Sequence, residues 1–80
     1  MVRAYVEIHL KKGVADPEGS NTLKALKLLG FENALDVKSA KLFVIDLEED
    51  DQEAARQSLD EMCNRLLANP VIHDFSIRFD

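Results

Sequence analysis

The dozen residues from Glu61 to Ile72, EMCNRLLANPVI, place a helix end, a turn and the start of a strand in immediate succession. Leu59, Met62 and Leu66, with Cys63 and Leu67 beside them, recur at spacings of three and four, which puts them on one stripe of a helix that needs cover. Asparagine accepts the left-handed conformation that comes after a helix, and proline cannot extend the amide ladder. Asn69-Pro70 therefore predicts termination there and an extended run from Val71.

The other elements emerge from the same kind of reading. Val2, Ala4, Val6, Ile8 and Leu10 alternate with Arg3, Tyr5, Glu7, His9 and Lys11, the period of a strand with one face in a core. Asp16-Pro17-Glu18-Gly19 fits a type I turn, after which Ser20 or Asn21 caps a helix carrying Leu23, Leu26 and Leu29 on one side. Gly30 ends it, with Phe31 folding back on Leu26. Leu35, Val37, Phe43, Ile45 and Leu47 share one parity, interrupted by Ser39 and Lys41, so residues 35–47 read as one long strand with a bulge or as a hairpin. The absence of Gly or Asn at the midpoint favours the former. Leu42 and Val44 make the opposite parity apolar too, so both faces of that strand need cover. Asp50 and Glu53 have capping-box spacing for a second helix. The predicted fold is α+β, a two-layer ferredoxin-like sandwich of an antiparallel sheet with two helices on one face, in the order β-α-β(β)-α-β, associating through the sheet.

Eighty residues predict a single domain, 1–80, that buries roughly 60–65% of its surface by the usual scaling. A scaffold this small ordinarily needs a staple. Cys63 is the only cysteine, so neither a disulfide within the chain nor a Cys/His zinc site is available, and self-association to a dimer or tetramer is the remaining device. The longest aliphatic-aromatic run, Leu42–Ile45, is far short of a membrane helix, and no hydrophobic targeting segment opens the chain, which points to the cytoplasm. A net charge of −5 argues against nucleic acid as a partner. The lysine pairs Lys11-Lys12, Lys24 with Lys27, and Lys38 with Lys41 read first as solvated faces and second as a docking patch for a larger acidic partner.

Convergent catalytic chemistry is sparse. There is no P-loop, dinucleotide fingerprint or nucleophile elbow, and Cys63 sits on an apolar helix stripe where an inert thiol is the commoner case. His73 shares parity with Val71 and Phe75 as a core-edge imidazole, and His9 falls on the polar side of the first strand. The turn at Asp16, Pro17 and Gly19 has a structural explanation, with partner docking as its functional one.

Several separated segments resemble one family. EMCNRLLANPVIHDFSI is similar to the C-terminal part of PurS, the small subunit of phosphoribosylformylglycinamidine synthase; VRAYVEIHLKKGVADPEG resembles that family's opening strand and loop; Leu28-Leu29-Gly30-Phe31 and Val37-Lys38-Ser39-Ala40-Lys41 resemble its helix end and next strand. Ala40 stands where the family has glycine and His73 where it has an acid. The resemblance implies a non-catalytic subunit in purine biosynthesis that bridges a PurQ-type glutaminase subunit and a PurL-type large synthetase subunit and assists ammonia transfer. It implies no cofactor in this chain, with ATP and Mg²⁺ in the large subunit. The candidate contact residues are Asp16, Pro17, Gly19, Lys41, Leu42, Val44 and Asn69. A regulatory module of the ACT type, binding an amino acid at a dimer interface, is the alternative.

Overall fold

The alternation at the start of the chain becomes β1 (Val2–Leu10), the central strand of a three-stranded antiparallel sheet in the computed structural model, which describes residues 1–80. β2 (Ala40–Leu47) and β3 (His73–Phe79) flank it. The register pairs Ala4 with Ile45 and Phe79, Val6 with Phe43 and Ile77, and Ile8 with Lys41 and Phe75. Because side chains alternate, this register puts Ala4, Val6 and Ile8 on one face with Phe43, Ile45, Phe75, Ile77 and Phe79. Across that face lies α2 (Gln52–Met62), whose Leu59, with Cys63 just beyond the helix, packs on Ala4, Val6 and Ile8. The order β1-α1-β2-α2-β3 and the antiparallel sheet agree with the predicted class.

The helix over the sheet departs from the expected periodicity at its end. Cys63–Leu67 forms a π-helical turn, closed by a hydrogen bond from the Ala68 N–H to the Cys63 carbonyl at 2.9 Å. One added residue rotates the succeeding side chains by about 100° relative to α periodicity. Leu67 and Ala68 thereby turn inward, and Leu66, expected on the buried stripe, is 84% exposed. The N-terminus is also shifted: Asp51 caps α2 by accepting the Glu53 N–H at 3.1 Å, while Asp50 is drawn to the N-terminal ammonium at 2.6 Å.

Asn69 ends the helical segment without adopting a left-handed conformation, since no residue other than glycine has positive φ. Instead its Oδ1 accepts the Val71 N–H and its carbonyl accepts those of Ile72 and His73. Those bonds occupy the amides that a strand would use. β3 consequently starts at His73 rather than Val71.

α1 (Pro17–Leu28) begins earlier than predicted, because Pro17 supplies the fixed φ of a first helical residue and Asp16, not Ser20 or Asn21, is the cap. Its far end is a Schellman motif: Phe31 N–H bonds the Leu26 carbonyl and Gly30 N–H that of Lys27, both at 3.0 Å, with Gly30 at φ +98°. No α1 side chain joins the core cluster. The molecule is correspondingly long, 48 × 26 × 14 Å with a radius of gyration of 15.9 Å. A compact chain of this length has about 12 Å. Residues 35–39, expected as part of a long strand, lie outside the sheet and lead into β2 as irregular chain.

Candidate partner interface

β1 ends, β2 and β3 begin, and α1 starts at the same end of the sheet, and it is there that most of the sequence-predicted contact residues meet. Asp16 holds this end together. Its Oδ1 accepts the Gly19 N–H at 3.0 Å and the Ser39 hydroxyl at 2.7 Å, while Oδ2 accepts the Ser39 N–H at 2.7 Å. The backbone donation from Ser39, then that from Gly19, holds the carboxyl below its ordinary range. Gly19 is buried, and a Cβ there would meet the Val37 carbonyl oxygen and approach Asp16 Oδ2 at 2.8 Å, so only glycine fits between helix and incoming strand. Pro17 is exposed beside them.

Around this clasp the surface is concave. A hollow of about 590 Å³ is lined by Lys11, Lys12 and Lys38 as well as Glu7, Asp16 and Asp74. Lys11 lies 3.5 Å from Asp74 and Lys38 3.0 Å from Asp36, and Lys12 makes no ion pair. Lys41 is exposed at the edge strand on the parity of Ile8, close to Glu18, Ser39 and His73 around a second, smaller hollow. Asn69 lies nearby in the chain's approach to β3; its N–H donates to His73 Nδ1 at 2.9 Å, which orients the ring.

Leu42 and Val44 are elsewhere. They lie on the sheet face opposite α2, 55% and 53% exposed, next to Tyr5 and Glu7 of β1. The strip is framed by charge: Arg3 grips Asp46 through two hydrogen bonds at 2.8 and 3.2 Å, and Arg78 lies 5.3 Å from the Tyr5 ring centroid. The pairing raises the Arg3 guanidinium further above its ordinary value and holds Asp46 below its own. This open face presents an apolar centre with a fixed polar rim.

The reactive side chains do not converge. Cys63 is fully buried beneath the sheet, its thiol pushed up by burial, whereas His9 is exposed on the other face. The arrangement offers donors, acceptors and apolar surface for recognition, with no nucleophile beside a base. Sequence reasoning misses Ser39 and Val37, which complete the clasp. Both read as strand positions, and nothing local signals a contact with a carboxylate so far away in the chain.

Comparison with known proteins is uniform in direction. The family model described as "PurS: Phosphoribosylformylglycinamidine (FGAM) synthase" matches residues 3–80. A subunit of that name from Archaeoglobus fulgidus is 55% identical over 74 residues, covering 92% of each chain. The crystal structure of PurS from Methanocaldococcus jannaschii, one of the subunits of formylglycinamide ribonucleotide amidotransferase, is 45% identical, covers 100% of this chain and 96% of its own, and superimposes with a TM-score of 0.92. A chain in the structure of PurLQS from Thermotoga maritima has the same fold at 20% identity, with a TM-score of 0.91 over 99% and 96% of the two chains.

Proposed function

The chain belongs to the PurS family of phosphoribosylformylglycinamidine (FGAM) synthase, and we propose that it works there as the small assembly subunit, joining a PurL-type synthetase to a PurQ-type glutaminase and helping ammonia pass between them. The observation that carries this reading is the unbroken family match over residues 3–80. Supporting it is the burial of Cys63 beneath the sheet, away from His9 on the opposite face. ATP and Mg²⁺ belong, in this reading, to the large subunit. The place of action is the cytoplasm, and no helix is long and apolar enough to cross a membrane. Family membership displaces the amino-acid-sensing alternative.

Two surfaces carry the proposed contacts. The clasp end, with Asp16, Pro17, Gly19, Lys41 and Asn69, meets the other subunits, because irregular chain held on a rigid strand end is where partners are commonly engaged. The open face, with Leu42 and Val44, meets a second copy of this chain, since an exposed apolar strip with opposite charges at its rim is self-complementary across a two-fold axis.

Reconstitution tests this. Added to its cognate large and glutaminase subunits, the chain should restore glutamine-dependent amidine formation, with far less effect when free ammonia is supplied. Lys41→Glu should weaken assembly while leaving the circular dichroism spectrum unchanged. If the two other subunits make the amidine from glutamine equally well alone, the assembly role falls.

A further inference from the structure

Charge is spread unevenly along this molecule. At the end of the sheet where β1 begins and β2 and β3 finish stand Asp46, the run Glu48–Asp51, Glu53 and Asp80, seven carboxylate side chains against Arg3 and Arg78. Their balance of −5 equals the net charge of the whole chain. The clasp end is balanced instead, with Lys11, Lys12, Lys38 and Lys41 against Asp16, Glu18, Asp36 and Asp74.

The lysines of that end are freer than the balance implies. Both oxygens of Asp16 are already taken by the Gly19 and Ser39 donors. The pairs of Lys11 with Asp74 and of Lys38 with Asp36 are open to solvent, so little is lost when either lysine exchanges its carboxylate for another, and Lys12 has no ion-pair partner. Glu7, farther back in β1, is the one carboxylate of the lining left unpaired. These three lysines rim one hollow of about 590 Å³, which Leu10, Val14 and Ala40 also line. The backbone that carries them is set in advance: Lys11 and Lys12 belong to a turn closed by the Val14 N–H on the Lys11 carbonyl at 3.1 Å, and Lys38 precedes Ser39, whose N–H and hydroxyl Asp16 holds. Anchors on fixed backbone lower the cost of ordering a partner against them. The lining contains no arginine, whose planar fork suits a single phosphate, and its lysines come from two separate segments of chain. Point charges dispersed around apolar surface match carboxylates dispersed along a peptide.

We infer that the hollow at the clasp end is the seat of an acidic peptide segment of a partner subunit, its carboxylates taken by Lys12 and Lys38 and an apolar side chain between them set against Leu10 and Val14. Such a seat deepens the assembly role proposed above, on which it rests, by giving one contact a chemistry. The far end, which carries the whole net charge, repels the same segment, so the partner is met clasp end first.

Association kinetics with the cognate large subunit and, separately, with the glutaminase subunit test the seat. With one of the two, the association rate should fall as sodium chloride rises, and the double variant Lys12→Glu with Lys38→Glu should lower it about tenfold and flatten its salt dependence. Both side chains are exposed, so the circular dichroism spectrum should not change. Lys12→Gln should slow association more than Gln52→Glu, which makes the same change of one charge at the far end. A short peptide of alternating glutamate and leucine should inhibit at an ionic strength where inorganic phosphate does not. An unaltered rate and salt dependence in the double variant overturns the seat and leaves assembly through other residues standing. Equal slowing by Lys12→Gln and Gln52→Glu also overturns it, reducing the effect to net charge, as does inhibition by phosphate without inhibition by the peptide, which gives the hollow to a small anion. If the unaltered chain associates with neither subunit, the assembly role itself falls.

Discussion

Asp16 and Ser39 stand 23 positions apart in the chain, and the carboxylate of the first receives both the backbone N–H and the hydroxyl of the second at 2.7 Å. One side chain thus caps α1 and anchors the entry to β2. Its carboxyl is held below the ordinary range by those donors, so it binds its proton more weakly in the folded chain than in the unfolded one. The stabilisation is present above the unfolded carboxyl value, about 3.9, and disappears as pH falls through the lower folded value. Asp16→Asn should therefore lower the urea midpoint at neutral pH, and its deficit against the unaltered chain should shrink as pH drops below about 4. Parallel pH profiles for the two proteins would contradict this.

Gly19→Ala should destabilise by about 1–3 kcal/mol, the usual cost of overpacking, because the new methyl meets the Val37 carbonyl and the Asp16 carboxylate. Gly30→Ala acts differently. Nothing lies within 4 Å of its Cβ position, but φ is +98°, so its cost is conformational, about 1–2 kcal/mol. In the double variant Gly19→Ala with Asp16→Ala, some of the first loss should be relieved, whereas Gly30→Ala should add independently. Equilibrium unfolding of the unaltered chain, the three single variants and the two double variants makes the comparison.

Leu59→Ala should cost about 2–5 kcal/mol at any protein concentration, since this side chain is fully buried over Ala4 and Val6. Leu66→Ala should cost within about 0.5 kcal/mol, because its side chain is 84% exposed. Equal and concentration-independent losses at the two leucines would return Leu66 to the core.

A thiol reagent should reach Cys63 only when the chain unfolds, since the sulfur is buried and its thiolate disfavoured. Cys63→Ala should lower stability modestly and keep the ability to restore glutamine-dependent activity in the reconstituted synthase. Loss of that activity in a variant that still assembles would give the thiol a chemical role.

What was legible in the sequence was local. The alternation of β1, the Schellman end at Gly30 and Phe31, and the stop at Asn69-Pro70 each depend on residues a few positions apart, so their spacing in the chain is their spacing in space. Tertiary structure decided the remainder. Leu66 keeps the periodicity of a buried residue and is exposed, because the hydrogen bond from Ala68 to Cys63 inserts a residue that helical spacing does not count. Ser39 reads as a flaw in a long strand and is the partner of Asp16, a contact that exists only once β1 and β2 are paired and bring their ends together. The leucines of α1 announce a buried face, yet Leu28 and Leu29 are exposed, since the Asp16 clasp ties the base of α1 to the entry of β2 and no α1 side chain joins the core. Amphipathic pattern records that a face is apolar, and only three-dimensional placement decides whether the chain itself covers it.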